Sequence, residues 1–162
     1  MSDVLQAKQR SEPGAHLEQM GSSFVTFTVA GQLFGVPVMR VQDILMPDAI
    51  APVPGGPVEV RGLINLRGRI VTVIDVRTRL SLPQASDASR GMCVTVESHG
   101  DSYTLFVDSV GDVVTLPLDL REANPATLDQ VWRDVADAVF RTEQGLLVAL
   151  DVDRLLAIRA KS

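Results

Sequence analysis

The chain has 162 residues and a formal net charge of −5; hydrophobic residues make up 46% of it but aromatic residues only 4%. That length suits one ordinary domain or two very small ones with aliphatic cores. The acidic balance, without a block of Lys and Arg, argues against a nucleic-acid-binding protein. No apolar run approaches the roughly 20 residues of a membrane-spanning helix, and residues 1–20 lack the apolar core of a secretory signal, so we expect a cytoplasmic protein.

Residues 1–21 show neither helical nor strand periodicity, and we expect them to form a flexible N-terminal tail. After them, short apolar and β-branched runs alternate with Gly- and Pro-rich turns, which is typical of β-sheet proteins. Pro37 should end the second strand, because proline cannot donate to a sheet ladder. Residues 39–46 are predicted to form a short helical turn followed by a strand. Further strands are predicted at residues 23–29, 33–38, 58–66, 69–76, 92–98, 102–108, 110–117 and 146–152.

Asp75 and Asp151 each stand where an apolar strand gives way to a helical pattern. A carboxylate there accepts the free N–H groups of the first helical turn, so we interpret both residues as helix N-caps. The second cap would precede a terminal helix at residues 153–159.

The segment 127–136 gives conflicting signals. Thr127 and Gln130 have the spacing of a capping box, which favours a helix. The surrounding β pattern favours a loop with at most one helical turn, leading into a strand near 137–142, with Trp132 covering an edge of the core. We favour the loop.

An internal repeat joins the two halves of the chain. "IVTVIDVRTRL" (70–80) and "LLVALDVDRLL" (146–156) share an apolar strand, Asp-Val, a basic residue and Leu in register, and "VQDIL" (41–45) parallels "VGDVV" (110–114). Each half also opens with two strands around a glycine turn. The repeat predicts two similar β units, each too small to be stable alone and packed together.

Few residues are suited to catalysis. His16 lies in the expected tail, His99 lies in a turn, and neither has metal-ligand partners nearby in sequence. Cys93 lies in an apolar run and is interpreted as a small buried hydrophobe. Catalysis is therefore the minority hypothesis, and no cofactor is expected. A small-ligand-binding β protein is the other alternative, but its pocket would need more aromatic residues than this chain has.

The stretch "VRGLINLRGRIVTVIDVR" (60–77) closely resembles the signature of the CheW family of chemotaxis coupling proteins. The resemblance extends from residue 24 to residue 158. It implies an all-β fold of two packed five-stranded SH3-like barrels with short helices, so that residues 22–162 form a single CheW-like domain. It also implies a non-enzymatic adaptor that joins the cytoplasmic hairpin tip of a chemoreceptor to the CheW-like regulatory domain of a CheA-type histidine kinase. The pathway is flagellar chemotaxis, twitching motility or another form of surface signalling.

The resemblance also nominates residues for partner binding. Arg67 matches the arginine of the family's N-L-R-G turn, where its planar fork suits either locking the turn or docking a partner. Gly68 should supply the positive φ of the turn. Gly62 within a strand indicates close approach of another backbone, and Asn65 is expected to bond the turn backbone.

A second set of nominated residues matches the family's V-x-E-I segment. These residues are Val41, Asp43 and Ile44, with Asp in place of Glu, and Val110 and Val113 are their counterparts in the repeat. The alternative for the valines and Ile44 is plain core packing.

Overall fold

The computed structural model describes residues 22–47, 49–85, 90–117, 119, 121–122 and 130–158. The expected flexible tail, residues 1–21, lies outside the described residues, as does Thr127 of the capping-box pattern. Within these ranges most residues that belong to secondary structure lie in strands, as the apolar pattern predicted.

The first half of the chain contains β1 (Ser22–Val29), β2 (Gln32–Pro37), a 3-10 turn (Val38–Arg40), β3 (Val41–Leu45), β4 (Val60–Leu66), β5 (Arg69–Asp75) and helix α1 (Val76–Arg79). The second half contains β6 (Met92–Ser98), β7 (Asp101–Val107), β8 (Ser109–Leu116), β9 (Arg121–Glu122), α2 (Gln130–Val135), β10 (Ala136–Thr142), β11 (Gly145–Leu150) and α3 (Val152–Leu155). β2 ends at Pro37 and a helical turn precedes β3, and both features confirm the prediction.

The strands form two sheets, each the basis of one SH3-like barrel. Barrel 1 has the strand order β3-β6-β7-β5-β4, and barrel 2 has the order β8-β1-β2-β11-β10-β9. β9 contains only two residues, so barrel 2 is a five-stranded unit with a short added edge. The predicted all-β fold of two packed barrels is confirmed.

The internal repeat is also confirmed, with one correction. In barrel 1 a hairpin (β6–β7) pairs in parallel with β5, and in barrel 2 a hairpin (β1–β2) pairs in parallel with β11. The two halves of the sequence, however, do not form one barrel each. β3 from the first half pairs with β6, and β8 from the second half pairs with β1. The hydrophobic pattern specifies which face of a strand is buried but not which strand lies beside it, so this interleaving was not visible in the sequence.

The two barrels share one aliphatic core. Val25 and Phe27 of barrel 2 lie in the same fully buried cluster as Val94 and Leu105 of barrel 1. Because each barrel takes strands from both halves and their cores are continuous, neither half of the chain could bury its apolar faces alone.

The prediction of a loop at residues 127–136 was wrong for its described part, because Gln130–Val135 form helix α2. Trp132 anchors this helix: its indole N–H donates to the carbonyl of Leu80 at 3.1 Å, and its ring lies 5.4 Å from that of Phe34 in an edge-on arrangement. A short helix is stabilised mainly by such tertiary packing. The prediction that Trp132 covers the core was right.

Both predicted N-caps are confirmed. The side chain of Asp75 accepts a hydrogen bond from the Thr78 N–H at 3.4 Å, and that of Asp151 accepts from the Arg154 N–H at 3.1 Å. The terminal helix α3 begins one residue earlier than predicted and is shorter, ending at Leu155.

Two ion pairs hold α1 and α3 in place. In the first the helix supplies the arginine, and in the second the helix supplies the aspartate. Arg77 of α1 donates to Asp108 through Nη2 at 2.6 Å, and the N–H of Ala30 in the β1–β2 turn donates to the same carboxylate at 2.8 Å. Asp153 of α3 pairs with Arg40 and accepts from the hydroxyl of Ser98 at 2.7 Å. Each contact ties a helix to a turn or link between strands.

The two arginines lower the pKa values of their carboxyl partners. For Asp153, the hydrogen bond from Arg40 is the largest cause of a pKa below the ordinary value. For Asp108, burial acts in the opposite direction, but hydrogen bonds from Arg77 and from the Ala30 N–H outweigh it and hold the pKa below the ordinary value.

Candidate docking site

The turn between β4 and β5 is built by Asn65, Arg67 and Gly68. Arg67 and Gly68 both have positive φ, at 55° and 85°, as in the two-residue turns that match the twist of a hairpin. The side-chain oxygen of Asn65 accepts the N–H of Gly68 at 2.8 Å. The turn roles predicted for Gly68 and Asn65 are confirmed, whereas the positive φ of Arg67 itself was not predicted.

Arg67 makes an ion pair with Asp43. Its Nη2 lies 2.9 Å from Oδ2 of Asp43, whose side chain is 7% exposed, while the arginine side chain is 74% exposed. The other carboxylate oxygen accepts the N–H of Ile44 at 2.9 Å. β3 and β4 are the outer strands of the barrel 1 sheet, so the pair joins its two edges. The sequence analysis suggested that Arg67 locks its own turn or docks a partner, and the ion pair with Asp43 is a third role. It leaves most of the Arg67 side chain accessible.

Gly62 lies where the chain of the β3–β4 connection comes closest to β4. A Cβ added there would be 2.3 Å from the carbonyl oxygen of Ala51. Ala51 and Leu63 exchange two backbone hydrogen bonds, at 2.8 and 2.9 Å. The predicted close approach is confirmed, and the approaching backbone belongs to the same chain.

The residues of the V-x-E-I segment and its repeat differ in burial. Val41 is fully buried in the core that both barrels share. Ile44, Val110 and Val113 are partly buried and pack against that core. Val41 therefore has the core-packing role, and the other three have a core-facing side and an accessible side. Their contact with partners stays a prediction.

A depression of about 260 Å³ lies beside the ion pair, and its described lining is Gln42, Asp43, Leu66, Arg67, Arg69, Val71 and Ser102. Two large apolar side chains close to it in the chain are exposed: Met46, directly after β3, at 74%, and Ile70 of β5 at 65%. Met46 is three residues from Asp43 in the chain and Ile70 is next to Arg69, and exposed apolar side chains of this kind are typical of protein-binding surfaces. We name this surface the hairpin surface. The sequence analysis missed Met46 and Ile70, although the alternation of Val71 and Val73 in β5 puts Ile70 on the opposite, exposed face.

Barrel 2 has a more apolar counterpart at the equivalent place, which we name the barrel 2 groove. It has a volume of about 390 Å³, and its described lining is Thr26, Leu33, Val114, Thr115, Leu116, Arg141, Thr142, Glu143, Gln144 and Leu147. No local sequence pattern indicates this groove, because its lining comes from five strands and a turn.

The remaining candidates for chemistry are few. Burial raises the pKa of the Cys93 thiol to about 11, so this residue stays protonated and is a small buried hydrophobe, as predicted. Among the residues that the structure describes, no group of three or more His, Cys, Asp or Glu is arranged to hold a metal ion.

Comparison with known proteins gives one consistent family. The model of the CheW-like domain matches residues 23–160. A chemotaxis protein CheW of Rhizobium meliloti is 28% identical over 138 residues, which cover 85% of this chain and 89% of that protein. Protein PilI of Pseudomonas aeruginosa is 28% identical over 127 residues, covering 78% and 71%.

A solved structure shares the fold. The scaffolding protein TtCheW of Thermoanaerobacter tengcongensis superposes with a TM-score of 0.78 at 24% identity, over 88% of this chain and 97% of that protein. Since the family model spans nearly the whole described part, the chain belongs to the CheW-like domain family.

Proposed function

We propose that this chain is a non-enzymatic adaptor that couples chemoreceptor tips to the regulatory domain of a CheA-type histidine kinase, in chemotaxis or chemotaxis-like signalling. The match of the CheW-like domain model to residues 23–160 carries this proposal. The relatives named chemotaxis protein CheW and the solved scaffolding protein support it. Residues 22–162 act as one domain in this proposal, with residues 1–21 as a flexible tail.

The hairpin surface is the first docking site in this proposal. The Arg67 guanidinium pairs with Asp43 through Nη2 while 74% of the side chain stays exposed, so its fork of donors can also bond a carboxylate or carbonyl of a partner. Exposed Met46 and Ile70 supply apolar contact area. Asn65 holds the hairpin tip in shape behind the arginine.

Several nominated residues act from behind this surface. Val41 is fully buried and Gly62 lies against Ala51, so each fixes the position of its strand. Asp43 sets the direction of Arg67. Ile44 contributes through its accessible side, and Val110 and Val113 do so on β8 of barrel 2.

Receptor and kinase bind different surfaces in this proposal. Kinase contacts come from the outer faces of both barrels, and the helical receptor tip lies along the apolar seam between them as an amphipathic helix lies in a groove. Each contact is small, near or below ~1,200 Å² of buried area, as in transient signalling complexes. Many repeated contacts in a membrane-anchored receptor array then raise the overall affinity by avidity.

The adaptor itself reaches the membrane only through the receptor in this proposal. None of the helices in the described ranges is long and apolar enough to cross a membrane. A cytoplasmic location beside receptor arrays follows from the proposed partners.

A competition experiment with purified components tests the proposal. The chain is held on a surface and saturated with the kinase regulatory domain, and a receptor-tip fragment is then added. We expect the receptor signal to add to the kinase signal. Mutual exclusion of the two partners would refute the coupling role and leave an adaptor for one partner.

Ile70→Asp is the sharpest variant for the hairpin surface, because Ile70 is exposed and its replacement leaves the core intact. Ile44→Asp is expected to reduce binding too, but Ile44 packs partly against the core, so its effect includes some loss of stability. Leu146→Asp, at the equivalent strand position of barrel 2 and 45% exposed, is the matched comparison, and a larger loss of binding for Ile70→Asp is expected if the hairpin surface is the main docking site.

A further inference from the structure

The sulfur-containing side chains in the described ranges differ in their access to solvent. Met46, directly after β3, is 74% exposed, and Met39, in the 3-10 turn between β2 and β3, is 66% exposed. Met92 is partly buried against the shared core, and Cys93 is fully buried. Because oxidation of sulfur follows exposure, a dissolved oxidant reaches the two exposed methionines before the other two residues.

Cys93 does not compete with these methionines for an oxidant. The thiolate is the reactive form of cysteine, and burial raises the pKa of the Cys93 thiol to about 11. The thiol is therefore both protonated and covered at neutral pH. A methionine thioether has no proton to lose, so its oxidation depends mainly on access, which Met46 and Met39 provide.

Met46 lies on the hairpin surface, where a change of polarity affects docking. Together with Ile70 it supplies the exposed apolar area of this surface. Oxidation to the sulfoxide turns a flexible apolar side chain into a polar one, whose new oxygen accepts hydrogen bonds from water. A partner that covers this oxygen without donating to it pays for removing it from water. The sulfoxide therefore weakens a contact that the thioether strengthens.

The equivalent end of barrel 2 offers no such sulfur. The internal repeat places Thr115 at the position of Met46. None of the described residues that line the barrel 2 groove is a methionine or a cysteine. The closing strand pairs of the two hairpins likewise place Glu143 at the position of Arg67. An oxidant therefore changes the docking surface of barrel 1 and leaves that of barrel 2 as it is.

We propose that Met46 is a regulatory oxidation site: hydrogen peroxide converts its thioether to the sulfoxide, and the sulfoxide weakens docking of the kinase regulatory domain on the hairpin surface. The inference rests on the proposed function, in which kinase contacts come from the outer faces of both barrels. It adds a reversible control of one partner by the redox state of the cell.

The chemistry of this step balances with hydrogen peroxide as the oxidant. The sulfur of Met46 takes one oxygen atom and is oxidised by two electrons, and the peroxide is reduced and leaves as water. A methionine sulfoxide reductase reverses the step. In the reversal two thiols are oxidised to a disulfide and the sulfoxide oxygen leaves as water.

Peptide mass mapping of the full-length chain during limited treatment with hydrogen peroxide tests the site. We expect Met46 and Met39 to gain the mass of one oxygen atom well before Met92 does, and Cys93 to remain a thiol. Oxidation of Met92 as fast as Met46 would overturn the proposal, because access would then not direct the reaction.

Two matched full-length variants, Met39→Leu and Met46→Leu, test the effect on docking. The affinity of each variant for the purified kinase regulatory domain is measured before and after peroxide, so each variant is compared with itself. We expect oxidation to weaken Met39→Leu about tenfold and to leave Met46→Leu within about twofold of its starting affinity. Met1 and Met20 are present in both variants, so their oxidation does not contribute to the difference.

A receptor-tip fragment and a reductase complete the test. For oxidised Met39→Leu we expect receptor binding to change less than about twofold, and methionine sulfoxide reductase to restore kinase binding. Equal loss in both variants, or equal loss of both partners, would overturn the proposal. Failure of the untreated chain to bind either partner would overturn the proposed function and this inference with it. Kinase binding that is intact at first and unchanged after oxidation of Met46 would overturn this inference alone.

Discussion

The equivalent ends of the two barrels have the same backbone plan but different chemistry. At barrel 1, Arg67 reaches from the hairpin turn to Asp43 and joins the outer strands. At barrel 2, the corresponding residues are Glu143 and Asp112, and an apolar groove of about 390 Å³ lies beside them. The two barrels therefore have similar backbones at these ends. Different residues at a few equivalent turn and strand positions give each barrel a different surface.

This difference explains how one small domain can present unlike surfaces to unlike partners. The interleaving of strands makes the two barrels one folding unit with a continuous core. A change at one end can then alter a docking surface without dividing the domain. An adaptor needs this combination, since it must hold two partners in a fixed relation.

The largest change in stability is expected from a substitution of Gly62, which faces Ala51 in barrel 1. The equivalent position of barrel 2, next to the bulge of β10, holds Ala138. Gly62→Ala would place its Cβ 2.3 Å from a carbonyl oxygen, so we expect a loss of ~3 kcal/mol in the free energy of unfolding. Urea denaturation measures it.

Gly100→Ala is the control for backbone strain alone. Gly100 also has positive φ, but nothing lies within 4 Å of an added Cβ, and we expect a cost of about 1 kcal/mol. If the two substitutions cost the same, the close approach of Ala51 does not constrain barrel 1.

The next effect concerns the ion pair that barrel 2 lacks. Arg67→Ala leaves the buried carboxylate of Asp43 without its cation, and we expect a loss of about 1–2 kcal/mol in stability, together with a larger loss of partner binding. A double-mutant cycle with Asp43→Asn measures the coupling between the two side chains. A coupling of zero would mean that the pair does not join the edges of barrel 1.

Acid should weaken the two contacts that hold α1 and α3. The pKa values of Asp108 and Asp153 are lowered in the folded protein, so their stabilising charge is fully present above the ordinary value of about 3.9 and is lost as the pH falls through the lowered values. Urea midpoints between pH 6 and pH 2 should therefore drop below about pH 4. An Arg40→Met, Arg77→Met variant should show a shallower drop, and an unchanged slope would contradict these assignments.

The smallest effect is expected when barrel 2 receives the arginine of barrel 1. Glu143→Arg lies at an exposed turn, and Asp112 is exposed too, so we expect a stability change within about 0.5 kcal/mol in a thermal melt. A gain above about 2 kcal/mol in the free energy of unfolding would mean that the new arginine pairs with Asp112 as Arg67 pairs with Asp43, and would contradict the difference between the two barrels.

Local features of the fold could be predicted because their causes lie close together in sequence. Alternating apolar residues predicted the strands, Pro37 predicted the end of β2, and Asp75 and Asp151 predicted the starts of α1 and α3. Asn65 and Gly68 predicted the shape of the hairpin turn, since both act within three residues of one another.

The features that sequence did not predict depend on contacts between distant segments. Nothing local pairs Arg67 with Asp43, or brings Ala51 against Gly62, because each pair joins two strands or a strand and a connection. The helix around Trp132 also depends on the contacts of its indole with Phe34 and Leu80, which lie far away in the sequence. The interleaving of the barrels likewise depends on partner choice between strands of similar pattern.

Reconstitution of kinase control tests the account most directly. Kinase autophosphorylation is measured with receptor-containing membranes, with and without this chain, using the kinase and receptor of the same organism. We predict that the kinase responds to receptor only when the chain is present, and that Ile70→Asp weakens this response while the protein remains folded. Equal receptor control of the kinase in the absence of the chain would contradict the proposed coupling.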